Sequence, residues 1–246
     1  MSDPALLAAV GEVGSDFYRE RDSDSLPCQA RSDEVFCFDW ARENLDRFQD
    51  PTVQHLEIVV FSVLLGFVVA FGLSLLAHRV SWLRPPLLAA TGVLYTIPSI
   101  AFFFLLIPVT GFGRDTAIIV LAAYTLQIIY RNTMLGLANV PAAVKDAARG
   151  MGFTQRQVLW RVELPLAIPE IIAGLRVAVV STIAIATLAV LISAGGLGTE
   201  MYGANLDFPT AIIIATTIVI LMALAFDLVL LTVQRLATPW RKARAR

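Results

Sequence analysis

Five long stretches without a charged residue dominate this chain and restrict what it can fold into. They are residues 58–77, 85–113, 116–130, 177–199 and 208–226. A helix needs about 20 mainly apolar residues to cross the hydrocarbon core of a bilayer, which is roughly 30 Å thick. The third stretch is the shortest, but it continues apolar past Arg131, whose side chain can reach the headgroups from a helix end. We therefore predict an all-α integral membrane protein with five transmembrane helices.

The predicted spans divide the chain into three parts. An acidic head, residues 1–54, precedes a five-span domain, residues 55–238, and a basic tail follows at 239–246. The predicted spans are approximately residues 55–78, 84–109, 115–138, 167–194 and 208–235. The third and fourth spans are joined by the longest internal loop, residues 139–166, which we call the connector.

The charges lie mainly outside the spans and fall unevenly on the two sides of the membrane. Residues 1–50 carry 12 of the 20 acidic residues but only 5 of the 19 Lys and Arg. The segments after the first, third and fifth spans together carry 12 Lys and Arg, whereas those after the second and fourth carry only Arg114. Because short basic loops stay cytoplasmic, we expect the C-terminus inside and the N-terminus outside.

With 57% apolar and 16% charged residues, an ordinary soluble enzyme and a nucleic-acid-binding protein are excluded.

The head contains both cysteines of the chain, Cys28 and Cys37. In the predicted topology they face an oxidising compartment, where a disulfide closing a ten-residue loop would order the head; the alternative is two free thiols. The two histidines, His55 and His78, flank the first span about 34 Å apart along a helix, so they cannot share a metal within one chain. We expect no metal site in this chain.

The composition of the connector is that of a folded unit, with one helix following another. Asn139 can cap a first helix with Pro141 in its first turn, and the glycines at 150 and 152 end that helix. Thr154 and Gln157 have the spacing of a capping box, which predicts a second helix ending at Pro165. A simple loop needs no such construction, so we expect the connector to dock onto another component.

The residues of the connector resemble the EAA loop of ABC importer permeases. In that family Glu-Ala-Ala is followed after three residues by Gly, and nine residues later by Ile, one residue and Leu-Pro. The corresponding residues here are Asp146, Ala147, Ala148, Gly152, Val162, Leu164 and Pro165. Aspartate replaces the usual glutamate and valine the usual isoleucine. The resemblance implies that this helix sits in a cleft of the ATPase subunit, with small alanines for close docking and Gly152 for the turn.

Further segments of the five-span domain resemble one branch of these permeases, the importers of the osmoprotectants glycine betaine, carnitine and choline. These segments are Tyr95–Ser99, Tyr130–Thr133, Glu163–Pro169, Ala173–Arg176 and Ile192–Gly198. The resemblance covers roughly residues 52–237 and implies a type I ABC importer permease fold.

The resemblance also implies the partners of this chain. They are two ABC ATPase subunits, a second permease subunit that is a copy or a homologue, an extracytoplasmic substrate-binding protein and membrane lipid. The only lysines, Lys145 and Lys242, do not end a phosphate-binding glycine loop. We therefore expect no enzymatic activity and no cofactor in this chain, with ATP and Mg²⁺ bound by the partner ATPase.

Two ionisable residues are expected at matching depths in the membrane. Arg176 lies 11 residues after Pro165, about 16 Å into the fourth span, and Asp227 lies about 12 Å into the fifth. Charges inside a membrane usually pair or line a path, so we predict an ion pair between them. The alternatives are that each side chain reaches the interface separately or that Asp227 meets Arg131. For the substrate passage we expect Tyr95, Ser99 and Thr187 as lining residues.

Three other functions compete with an osmoprotectant importer. A permease for methionine or sulfonate shares the connector pattern. A secondary carrier driven by ions would need coordinating acids in the middle of the membrane, where only Asp227 is expected. A membrane scaffold that transports nothing would use the connector only to recruit a partner.

Overall fold

A computed structural model describes residues 36–202 and 209–239 of the chain. The chain divides into two compact units, residues 1–46 and 47–246. In the first unit α1 (Phe38–Glu43) follows Cys37, which is buried and disulfide-bonded. Cys28, the other cysteine of the sequence, lies outside the described residues. A 3-10 turn, Leu45–Phe48, leads into the long helices.

The second unit is helical, and its described residues form no strand. In chain order it contains α2 (Gln49–Arg79), a 3-10 turn (Ser81–Leu83), α3 (Arg84–Thr96), α4 (Ser99–Thr110), α5 (Arg114–Ala138), α6 (Ala142–Gly150), α7 (Gln155–Val158), a π-helical turn (Leu159–Glu163), α8 (Leu164–Ala186), a 3-10 segment (Thr187–Ile192), α9 (Gly198–Tyr202) and α10 (Pro209–Ala237). Within residues 36–202 and 209–239, four stretches are long and apolar enough to cross a membrane, and the pair α3–α4 adds a fifth if it is one span. The predicted all-α membrane fold is confirmed.

The ends of the first and fourth spans differ from the prediction. Helix α2 begins at Gln49, six residues before the predicted start at 55, because Asp50 in the first turn of the helix favours its N-terminus. The fourth span is continuous with the connector over Gln155–Ile192. The predicted helix end at Pro165 is therefore wrong. Proline is tolerated in the first turn of α8, and the wider π-helical turn before it makes room for the ring.

The second span, predicted over 84–109, contains Pro98 and Pro108, which are expected to kink or shorten it, and the structure breaks it. The two halves, Ser81–Thr96 and Ser99–Thr110, meet at 99°. The break falls at Ile97, which is extended because the ring of the following proline disfavours the helical conformation. Pro98 has no N–H to continue the helix, and the hydroxyl of Tyr124 donates to the carbonyl oxygen of Ile97, which lies between the two halves.

Helix α5 lies at the centre of the second unit, between α2 and α8. Small residues allow the close approach on both sides. A Cβ atom at Gly66 of α2 would lie 1.7 Å from Thr125 Oγ1, and one at Gly174 of α8 would lie 2.4 Å from Asn132 Cβ. Packing of this kind holds helices together in lipid, where apolar surface alone gives them no reason to associate. Helices α3 and α4 also pack on α5, and α10 packs on α8.

Candidate functional site

The connector folds into a short amphipathic helix, a tight turn and the first turns of the fourth span. Helix α6 begins at Ala142, directly after Pro141. The predicted cap at Asn139 is wrong, because Asn139 ends α5, where its N–H donates to Leu135 O. Helix α6 turns Ala148, which is 2% exposed, toward the protein and leaves Ala147 exposed.

Gly152 closes the end of α6 in a Schellman motif. The N–H of Gly152 donates to Arg149 O at 2.9 Å, and the N–H of Phe153 donates to Ala148 O at 3.1 Å. Gly152 has a φ of +85°, which residues with a side chain rarely adopt. The turn thus satisfies the last carbonyls of α6 and sends the chain back toward the membrane domain.

The predicted capping box begins the next helix. The N–H of Gln157 donates to Thr154 Oγ1 at 3.4 Å, and the N–H of Thr154 donates to Gln157 Oε1 at 2.8 Å. This capping box is confirmed. Beyond it Leu164 is buried beside Leu137 and Ala167, and Pro165 lies in the first turn of α8. The second helix of the connector is therefore the base of the fourth span.

The outer surface of the connector combines polar and apolar side chains. Asp146 is exposed, and its carboxylate accepts a hydrogen bond from Arg149 at 3.1 Å, one turn along the same helix. Met151 is 71% exposed and Trp160 is 52% exposed. Large apolar side chains that are exposed beside a tight turn are typical of a surface that another protein covers.

The inner surface of the connector holds a buried carboxylate that the sequence analysis missed. Glu163 is 5% exposed, and its two oxygens lie near His78 Nε2 at 2.7 Å and Lys145 Nζ at 3.4 Å. One signal in the sequence points to this residue: it is the only acid among the bases of the segment after Asp146 that leads into Pro165. Its partners come from two other parts of the chain and could not be read from spacing.

The structure brings Arg176 and Asp227 together between α8 and α10. Arg176 Nε donates to Asp227 Oδ1 and its NH2 group donates to Oδ2, both at 2.8 Å. The side-chain amide of Gln234 forms a second contact between α10 and α8, since it donates to Pro169 O at 2.7 Å. Paired hydrogen bonds of this geometry are among the strongest that side chains make, and they fix the register of the two helices.

The three residues expected along the passage lie in different surroundings. Tyr95 and Ser99 stand on either side of the break in the second span, and Tyr95 is 45% exposed with its ring edge-on to Tyr124. Thr187 is 6% exposed, and its hydroxyl donates to Ala184 O in the last turn of α8. Tyr95 and Ser99 thus lie beside the break in the second span, and Thr187 lies where α8 changes into the 3-10 segment. Irregular backbone of this kind is tolerated at membrane depth where protein or water covers it.

Comparison with known proteins identifies the kind of chain that carries this connector. The family described as "Binding-protein-dependent transport system inner membrane component" matches residues 62–242. This chain belongs to that family. It is 38% identical over 203 residues to the osmoprotectant import permease protein OsmW of Salmonella typhimurium, covering 80% of this chain and 94% of that protein.

A second relative and a solved structure agree with this membership. The chain is 38% identical over 193 residues to the glycine betaine/carnitine/choline transport system permease protein OpuCD of Bacillus subtilis, covering 78% of this chain and 84% of the other. The inward-facing MetNI methionine ABC transporter has a similar fold, with a TM-score of 0.71 at 20% identity over 78% of this chain and 96% of that chain.

The predicted ABC importer permease of the osmoprotectant branch is thereby confirmed. The chain is a transport subunit that crosses the inner membrane several times. As a permease of an ABC importer it works with an ATPase, a substrate-binding protein and a second permease subunit.

Proposed function

We propose that this chain imports quaternary-amine osmoprotectants, such as glycine betaine, carnitine or choline, by responding to ATP hydrolysis in a partner subunit. Glycine betaine, carnitine and choline, the substrates in the name of the Bacillus subtilis relative, share a trimethylammonium group. The similarity to the methionine transporter, at 20% identity, concerns the fold alone and does not favour methionine as a substrate.

The connector is the observation that carries the coupling role. Helix α6 presents Ala147 and Asp146 outward while Ala148 anchors the helix on the protein. A side chain as small as alanine lets a partner approach the backbone closely. The Schellman turn at Gly152 then keeps α6 at a defined angle to the base of the fourth span. The turn sets the resting geometry, and a displacement of α6 would reach the fourth span through the turn together with the contact of Lys145 with Glu163 at the base of that span.

We infer that two permease subunits and two ATPase subunits form the importer. Helix α10 supports this assembly. Only 6% of its apolar 18-residue stretch is buried inside its own chain, which leaves the rest available to lipid or to a second subunit. A second subunit beside the first would enclose a passage, with Tyr95, Ser99 and Thr187 as proposed lining residues. ATP and Mg²⁺ would bind to the ATPases, and their closure would rock the two permeases toward an outward opening.

The proposed orientation places the connector and the C-terminus in the cytoplasm and the acidic head outside. The 12 Lys and Arg that follow the first, third and fifth spans support it, against the single Arg114 on the opposite side. A reporter fused after residue 246 should therefore be active only as a cytoplasmic reporter.

Co-purification tests the function directly. The permease is expressed with its neighbouring ATPase, reconstituted in liposomes with the binding protein, and assayed for ATP turnover and uptake. Glycine betaine, carnitine or choline should stimulate both activities, whereas methionine should stimulate neither. Uptake without ATP, or stimulation by methionine alone, would contradict the proposal.

A variant pair tests the docking surface. Ala147→Trp places a large side chain on the exposed face of α6 and should prevent capture of the ATPase while the subunit still folds. Ala90→Trp is the matched control, since Ala90 is also exposed but lies on α3, away from the connector. Equal capture of the ATPase by both variants would refute docking at Ala147. Ala148 is unsuitable for this test because it is buried, and its replacement would disturb the fold.

A further inference from the structure

The buried carboxylate of Glu163 connects parts of the chain that are far apart in sequence. Glu163 ends the π-helical turn at the base of the fourth span. His78, whose Nε2 lies 2.7 Å from Oε2, is next to the last residue of α2. Lys145, whose Nζ lies 3.4 Å from Oε1, is in the middle of α6. The side chain of Glu163 therefore connects the end of the first span, helix α6 and the base of the fourth span.

Lys145 extends this link to the third span. Its Nζ also donates to the carbonyl oxygen of Leu137, near the end of α5, at 3.4 Å. Like Glu163, Lys145 and His78 are largely covered, with side chains 20% and 22% exposed. A buried carboxylate is costly unless cations and hydrogen bonds surround it, so the arrangement holds all three side chains in place.

The backbone between α6 and the fourth span transmits a displacement of α6 poorly by itself. It runs through Gly152, whose backbone conformation only glycine adopts freely, and then through Phe153 and Thr154, which lie outside both helices. A force on α6 could be lost as rotation at this turn. The contact between Lys145 and Glu163 bypasses the turn, because it joins α6 directly to the base of α8.

We propose that Glu163 is a positioning residue that makes α6, the end of α2 and the base of α8 move as one body when the ATPase pushes on α6. The ion pair of Asp146 with Arg149 cannot do this, because both residues belong to α6 and are exposed. The inference rests on the proposed function of this chain as a coupled importer subunit. It assigns Glu163 a mechanical role in addition to the docking of the ATPase on the exposed face of α6.

Two substitutions in the complete importer separate this role from simple stabilisation. Glu163→Gln keeps the shape of the side chain but removes its charge. Glu57→Gln is the matched control, because Glu57 is also an ion-paired carboxylate, 2.5 Å from Arg114, on the opposite end of α2 from His78. Each variant is reconstituted with the ATPase and the binding protein, and uptake is measured per ATP hydrolysed.

The expected result is a loss of coupling without loss of assembly. Glu163→Gln should bind the ATPase and hydrolyse ATP as before, while uptake per ATP falls at least about fivefold. Glu163→Asp, which keeps the charge, should recover part of that loss, and Glu57→Gln should leave the ratio unchanged. An unchanged ratio in Glu163→Gln would overturn the inference, as would a parallel fall of subunit abundance, ATP turnover and uptake.

A second measurement needs no substrate and therefore tests the inference separately from the proposed substrate class. Spin labels at Arg79 and Ala143, both exposed, report the distance between the end of α2 and α6. In the wild-type complex this distance should stay constant when ATP binds, and in Glu163→Gln it should change or broaden. A distance that changes in the wild type would refute the rigid link. If the link holds but none of the amines is imported, only the proposed function fails.

Discussion

Helices α5 and α10 are both predicted transmembrane spans, yet the structure places them very differently. Of an apolar 18-residue stretch of α5, 44% is buried inside the chain, whereas only 6% of the corresponding stretch of α10 is buried. The more apolar of the two is α10. Of these two spans, the more apolar one is thus the less buried inside the chain, and the less apolar one lies at the centre of the second unit.

The reason lies in the solvent. In water an apolar helix gains by leaving the surface, but in a bilayer the lipid tails are as apolar as the protein interior. Helix α5 is central because the glycines of its neighbours leave room for side chains such as Thr125 and Asn132. Helix α10 buries only Thr210, Ala211, Ala215 and Val219, and its second half is joined to α8 by polar contacts, chiefly that of Asp227 with Arg176.

The largest effect is expected at the charged contact that joins the second half of α10 to α8. Asp227→Asn should release α10 from α8 and cause the greatest loss of folded subunit, because Arg176 is left without its charge partner in the membrane. Membrane abundance and the melting temperature of the detergent-solubilised subunit measure it. Exchanging the two residues, Arg176→Asp with Asp227→Arg, should recover most of the loss. A swap as damaging as the single change would mean that pairing does not hold α10.

A large effect is also expected in the core around α5. Ile129 is fully buried beside Ala70, Ala77 and Ala178, so Ile129→Ala should leave a cavity and cost about 3 kcal/mol of unfolding free energy. Unfolding of the solubilised subunit in a denaturing detergent checks the value. A cost below about 1 kcal/mol would show that the packing around α5 is looser than its burial indicates.

A smaller loss is expected at the contact of α2 with α5. Gly66→Ala should cost about 2 kcal/mol, because its Cβ atom would overlap Thr125 Oγ1 and press on Ala122 O. Gly72→Ala, in the same helix, is the control, since no atom lies within 4 Å of the added Cβ. The control should gain slightly in stability from the better helix propensity of alanine. Equal melting temperatures for the two variants would contradict close packing at Gly66.

The smallest effect is expected on the exposed face of α10. Leu228 is 60% exposed, so Leu228→Ala should change the stability of the single subunit by less than about 0.5 kcal/mol. The same unfolding measurement as for Ile129→Ala provides the comparison. Equal losses of unfolding free energy for Leu228→Ala and Ile129→Ala would contradict the difference in burial between α10 and α5.

Local features of this chain were predictable because neighbouring residues decide them. The third span was predicted at 115–138 and is Arg114–Ala138, since Arg114, Asp115 and the connector mark its ends. The capping box at Thr154 and the turn at Gly152 follow from side chains and conformations a few residues apart. The cap predicted at Asn139 was wrong because only three residues separate the end of α5 from the start of α6, and spacing alone does not say which helix a polar residue between them caps.

By itself the sequence determined that this chain crosses a membrane, roughly where each span lies, and that a structured connector joins the third and fourth spans. Those features depend on apolar runs and on short-range backbone preferences. Only the tertiary structure decided that the two halves of the second span meet at 99°, that α5 is central and that Glu163 meets His78 and Lys145. Each of these depends on contacts between residues far apart in the chain, which form only when the helices pack.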